Sequence, residues 1–137
     1  VSLIEVLKKG VEGLASDPNC KSWFEGTEGD SIVIRFRGSG SVTFSVKGGR
    51  LSIAEGESAD ARSIAETDPA VFIRFINGGL NFGGLFVHEM SQYFKAIKGE
   101  FYDFGGDFFL LNPVTERLAA LYRSSPEFRS AVDTVAK

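Results

Sequence analysis

SIVIRFRGSGSVTFSVKGGRLSIAE, residues 31–55, alternates apolar and polar side chains through three consecutive runs separated by glycine turns. In the first run Ile32, Ile34 and Phe36 fall on one face while Val33, Arg35 and Arg37 fall on the other, the period-two pattern of a half-buried strand. Gly38-Ser39-Gly40 then supplies a tight turn, and Val42, Phe44 and Val46 alternate with Ser41, Thr43, Ser45 and Lys47. Gly48-Gly49 turns the chain into a third run, in which Leu51 and Ile53 are the apolar positions. A fourth short strand is expected over residues 61–66. Together these predict an antiparallel meander with one apolar face, which needs a second layer to cover it.

Helices on either side supply that layer. Upstream, Leu3, Ile4, Leu7, Val11 and Leu14 recur at helical spacing, with the helix ending near Ser16 to Pro18. This amphipathic stretch is unlike an export signal. Downstream, Thr67-Asp68-Pro69 predicts a helix start, with the Asp68 carboxylate as N-cap and proline at the first helical position. Asn77-Gly78-Gly79 ends that helix. A further helix is expected over residues 85–98, with Phe86, Met90, Tyr93, Phe94 and Ile97 on one side, followed by a fifth strand over residues 100–104. Val114, Leu118, Leu121 and Tyr122 mark another helix, and Ser125-Pro126-Glu127 starts a last one. The fold class expected is α+β: a five-stranded, mostly antiparallel sheet with helices packed on one face, as one domain over residues 1–137.

Composition narrows the function classes. The net charge is −3 and the cations are dispersed, which argues against nucleic acid as a partner. The apolar runs are far shorter than the roughly 20 residues of a membrane span. Cys20 is the lone cysteine, so no internal disulfide forms and a cytoplasmic, reducing setting is expected; the residue reads as a small buried apolar side chain. His88 is the lone histidine, which leaves any catalytic triad dependent on one residue and rules out a multi-histidine metal site. Glu100, Asp103 and Asp107 lie close in sequence, but strand alternation puts the first two on opposite faces, so they read as solvated charges. Gly38-Ser39-Gly40 is followed by a strand instead of a helix and reads as a hairpin, not a phosphate loop. No catalytic residue, metal or cofactor is expected.

One bias remains: of 13 phenylalanines, only Phe24, Phe36 and Phe44 precede residue 72. Stiff rings on opposing walls leave gaps that a flexible chain can fill, although aromatic stripes at helical spacing also make ordinary packed cores.

The stretch VTFSVKGGRLSIAEGESADARSIAETDPAVFIRFINGG, residues 42–79, resembles the central segment of the sterol carrier protein type 2 domain, with Ala59-Asp60 and Thr67-Asp68 as its best-matching landmarks. The run KGEFYDFGGD, residues 98–107, is similar to that family's final strand and glycine turn. The segment 80–96 departs from the family by being longer and more aromatic. The resemblance implies a non-catalytic lipid carrier that holds a fatty acid, a fatty acyl-CoA or another apolar ligand in a tunnel between sheet and helices. Phe72, Phe75, Ile76, Phe82, Phe86, Met90, Tyr93, Phe94, Phe101, Phe104, Phe108 and Phe109 would line it. It leaves room for transient membrane contact and for a dimer. The competing readings are an interaction module, in which Phe82, Phe86, Phe108 and Phe109 form an exposed patch, and an acyl-directed enzyme using His88 or Cys20.

Overall fold

The protein is described by a computed structural model that covers residues 2–81, 90–98 and 107–137. Its first helix, α1 (Leu3–Ala15), begins where Ser2 accepts a hydrogen bond from the Glu5 backbone N–H at 3.2 Å. The apolar stripe is buried along its whole length, from Leu3 to Leu14. A short helix that the periodicity does not predict, α2 (Cys20–Trp23), follows and buries Cys20.

Four strands follow: β1 (Ser31–Phe36), β2 (Gly40–Lys47), β3 (Arg50–Glu55) and β4 (Ser63–Thr67). β1, β2 and β3 form the expected antiparallel hairpins. The register sets Ile32 opposite Phe44, Ile34 opposite Val42, and Val46 opposite Leu51. All six are buried on the inner face.

The fourth strand departs from a meander. β4 does not return beside β3; it lies alongside β1 in parallel, with Ile32 opposite Ser63 and Phe36 opposite Thr67. The connecting segment, residues 56–62, runs across the outer face of the sheet to get there. Thr43 Oγ1 donates to the Gly56 carbonyl at 2.9 Å and accepts from the Ser58 N–H at 3.0 Å, while Glu57 reaches Arg35. This explains why Val33 and Thr43, on the side the alternation reads as solvated, are buried.

α3 (Pro69–Ile76) starts at the proline as expected. Its Asp68 carboxylate, however, makes no capping hydrogen bond: Oδ1 sits 3.0 Å from the Arg37 guanidinium, and only the Asp68 backbone carbonyl receives the helix N–H groups of Val71 and Phe72. The helix expected over 85–98 cannot extend to its predicted end, because Lys95–Lys98 is a strand, β5, paired antiparallel to β4 at the edge of the sheet. The five strands lie in the order β3-β2-β1-β4-β5. The strand expected over 100–104 lies outside the described residues.

A turn of 3-10 helix (Asp107–Leu110) leads into α4 (Leu111–Ser124), and α5 (Pro126–Ala136) closes the chain. Ser125 caps α5 by accepting the Phe128 N–H at 3.2 Å. α1 packs on β2 and β3, while α4 and α5 pack on α1 and α3. The apolar face of the sheet and the buried stripes of these helices belong to one continuous core. Among the described residues no helix is long and apolar enough to cross a membrane.

Candidate functional site

α3 places Phe72, Phe75 and Ile76 at i, i+3 and i+4, so all three face the core. Phe72 is enclosed by rings from three directions. Phe36 meets it edge-on at 5.3 Å, Phe44 stacks at 6.4 Å, and Phe94 meets it edge-on at 6.4 Å. Phe75 extends this layer outward, with Phe94 at 5.5 Å and Tyr93 edge-on at 5.9 Å. Edge-on and offset contacts are the geometries that ring quadrupoles favour, each worth about 0.5–1.5 kcal/mol beyond the area buried.

Tyr93 and Phe94 reach the layer through a turn. Both of their N–H groups donate to the Met90 carbonyl, at 3.0 and 2.8 Å, and the Tyr93 carbonyl accepts a 2.7 Å hydrogen bond from Thr67 Oγ1 at the end of β4. The rings of Phe72, Phe75 and Phe94 are buried, Phe108 is 4% exposed, and Met90 and Tyr93 pack half-buried against the same cluster. The structure therefore brings together seven of the expected residues: Phe72, Phe75, Ile76, Met90, Tyr93, Phe94 and Phe108. Phe109 is instead 48% exposed. Phe82, Phe86, Phe101 and Phe104 lie outside the described residues, as do His88, Glu100 and Asp103.

Two members of the layer were not among the expected residues, although the sequence carried their signal. Phe36 and Phe44 come from the sheet, and strand alternation already put both on the apolar face. The buried state of Phe108 also removes it from an exposed interaction patch. Among the described residues Ile97 and Phe109 are the large apolar side chains left exposed.

A cleft of about 520 Å³ opens beside this layer, between the C-terminal end of α3 and one side of α4. Phe75 forms part of its wall, together with Leu80 and Ala119, and the charged side chains on its rim are Glu116 and Arg123. A volume of that size lies within the range typical of small-molecule sites.

Charge is concentrated elsewhere, on the outer face of the sheet. The Arg35 guanidinium grips Glu57 with a fork of 2.7 and 2.9 Å, holding that carboxyl below the usual carboxylate range. Glu28 is held low mainly by the backbone N–H groups of Gly49 and Gly48 at the β2–β3 turn. Among the described residues no group of three His, Cys, Asp or Glu is placed to hold a metal ion. Cys20 is a buried free thiol.

An α+β layer of this order, with helices on one face of a five-stranded sheet and a parallel β1–β4 pair, is the fold of the sterol carrier protein type 2 domain. The solved structure of sterol carrier protein 2 superposes with a TM-score of 0.60 at 14% identity, covering 86% of this chain and 98% of that one. A UbiJ-SCP2 ubiquinone synthesis protein matches with a TM-score of 0.58 at 14% identity over 87% of this chain and 94% of its own. A conserved hypothetical protein from Thermus thermophilus gives 0.56 at 14% identity, covering 85% of this chain and 86% of its own. No family model matches the chain, and no curated protein matches it by sequence.

Proposed function

We propose that this chain is a non-catalytic lipid-binding and lipid-carrier domain that holds a fatty-acyl or similar apolar ligand between the sheet and the helices. The observation that carries this reading is the aromatic layer itself: Phe36 and Phe44 from the sheet, Phe72 and Phe75 from α3, and Tyr93 and Phe94 from the turn before β5. The likeness to a structure titled sterol carrier protein 2 supports the same reading at the level of fold.

The energetics permit a ligand to compete with ring-on-ring packing. Separating one or two ring contacts costs on the order of 1–3 kcal/mol at about 0.5–1.5 each. Burying ten methylenes of an acyl chain returns about 8 kcal/mol gross at roughly 0.8 each, before ordering costs. A tail inserted beside Phe75 and Tyr93, at the outer end of the layer, therefore leaves the Phe72 centre intact and still binds. Ile76, Met90, Phe82, Phe86, Phe101, Phe104 and Phe108 complete the proposed lining. A fatty acid or fatty acyl-CoA is the ligand class, with transient membrane contact for loading, in the cytoplasm.

Displacement of a fluorescent fatty acid from delipidated protein tests this reading. We expect saturable displacement by hexadecanoate at one equivalent. Weak, non-saturating fluorescence that responds equally to any detergent would overturn it.

A further inference from the structure

We infer that the cleft between α3 and α4 is the entrance to the proposed tunnel, and that Arg123 holds the carboxylate of a free fatty acid there. This rests on the carrier reading and adds the position and chemistry of the head group.

Three observations meet at this cleft. First, residues 112, 115, 116, 119 and 123 of α4 all line it. Their spacing of three, four, seven and eleven residues from the first is one stripe of a helix, about 16 Å long at 1.5 Å per residue. Second, Phe75 belongs both to the cleft wall and to the aromatic layer, where it touches Tyr93 and Phe94. Phe75 therefore borders both the cleft and the aromatic layer, so a ligand with its head in the cleft would direct its tail at that layer.

Third, the charges are arranged for a single anion. Arg123 sits at the end of the stripe in the last turn of α4, exposed and with no ion pair among the described residues. Its planar fork matches a carboxylate. The helix C-terminus contributes only about half a negative charge, which the full charge of the guanidinium outweighs. Glu116 lies two turns away, on the order of 10 Å along the helix, and is paired at 3.3 Å with Arg117. The Arg117 guanidinium is itself held 4.8 Å above the Trp23 ring. A free carboxylate brings a full negative charge to Arg123, whereas an acyl-CoA presents a neutral thioester carbonyl at that point. Thr115 offers no competing contact, because its hydroxyl is spent on the Leu111 carbonyl at 2.7 Å.

The test compares hexadecanoate, hexadecanol and hexadecanoyl-CoA on delipidated wild type, Arg123→Gln and Arg50→Gln, the last a neutralisation on the edge strand β3. Wild type and Arg50→Gln are expected to bind the acid on the order of tenfold more tightly than the alcohol, as one charge-assisted contact allows. In Arg123→Gln the acid is expected to fall to the level of the alcohol while the alcohol is unchanged. The thioester is expected to bind more weakly than the acid. An acid-to-alcohol ratio untouched by Arg123→Gln, equal losses of acid and alcohol, or a preference for the thioester would overturn the head-group assignment and leave the carrier reading standing. No binding of any of the three by wild type would overturn both.

Discussion

The hydroxyl of Thr67, fully buried at the end of β4, donates a 2.7 Å hydrogen bond to the backbone carbonyl of Tyr93. That contact spans 26 residues and fixes the turn that delivers Tyr93 and Phe94 to the aromatic layer. Valine keeps the shape of threonine but cannot donate, so Thr67→Val leaves a carbonyl without its partner. The expected loss is about 1–3 kcal/mol, read as a shift of the urea midpoint with unchanged slope. A midpoint equal to wild type would mean that the turn is held by packing alone.

Phe72 is the ring on which the layer converges, touching Phe36, Phe44 and Phe94. Phe72→Ala is expected to destabilise by about 3–5 kcal/mol, because neighbours held in regular secondary structure close the hole only in part. Phe72→Leu should cost clearly less. Equal effects of the two substitutions on the denaturation midpoint would show that ring shape is immaterial at this position.

Much of the fold was legible before any coordinates. β1, β2 and β3 followed from strict alternation, and the start of α5 followed from Ser125-Pro126, whose cap forms as read. Three features were hidden for physical reasons. Met90, Tyr93, Phe94 and Ile97 satisfy helical spacing, yet β5 is an edge strand whose four residues are all exposed, so burial imposes no alternation that could reveal it. Asp68 has the identity of a cap, but Arg37, beside it just past the end of the neighbouring strand β1, claims its carboxylate, a partner that local sequence cannot disclose. The parallel placement of β4 depends on residues 56–62 crossing the outer face, and its trace within β1 is the apolar Val33 on the side that also carries Arg35. For the candidate site, the rings from α3 and the Tyr93-Phe94 turn were legible from composition and spacing. The α3–α4 cleft was not, since it is formed between helices distant in the chain.

Gly10 lies in mid-helix, where alanine normally stabilises by about 1 kcal/mol. Here an added Cβ would sit 2.8 Å from Phe128 Cε1 and 2.9 Å from Leu118 Cδ2, both buried side chains with little room to yield. Overpacking of this kind costs typically about 1–3 kcal/mol, so it outweighs the propensity gain. Gly10→Ala is expected to lower the thermal midpoint while leaving helix content unchanged. A raised midpoint would show that α1, α4 and α5 separate easily.

Glu28 and Glu57 both titrate below the ordinary carboxyl value of 4.5 in the folded chain, Glu28 through the Gly49 and Gly48 N–H groups and Glu57 through Arg35 and Ser41. A depressed folded value means that their contribution is complete above the unfolded value and is lost as pH falls through the folded one. Stability should therefore be flat near neutrality and decline in acid below about pH 4.5. Glu28→Gln should reduce stability at neutral pH and flatten the acid decline. A decline as steep as that of wild type would remove Glu28 from this account.

The central claim is that a hydrocarbon tail enters the core beside the rings of α3 and the Tyr93-Phe94 turn. Aromatic NMR spectra of the delipidated protein, recorded while hexadecanoate is added, read those rings individually. The account predicts that the resonances of Phe75, Tyr93 and Phe94 shift together and stop shifting at one equivalent. Resonances of these three that stay fixed while exposed Phe109 alone drifts without saturating would contradict it.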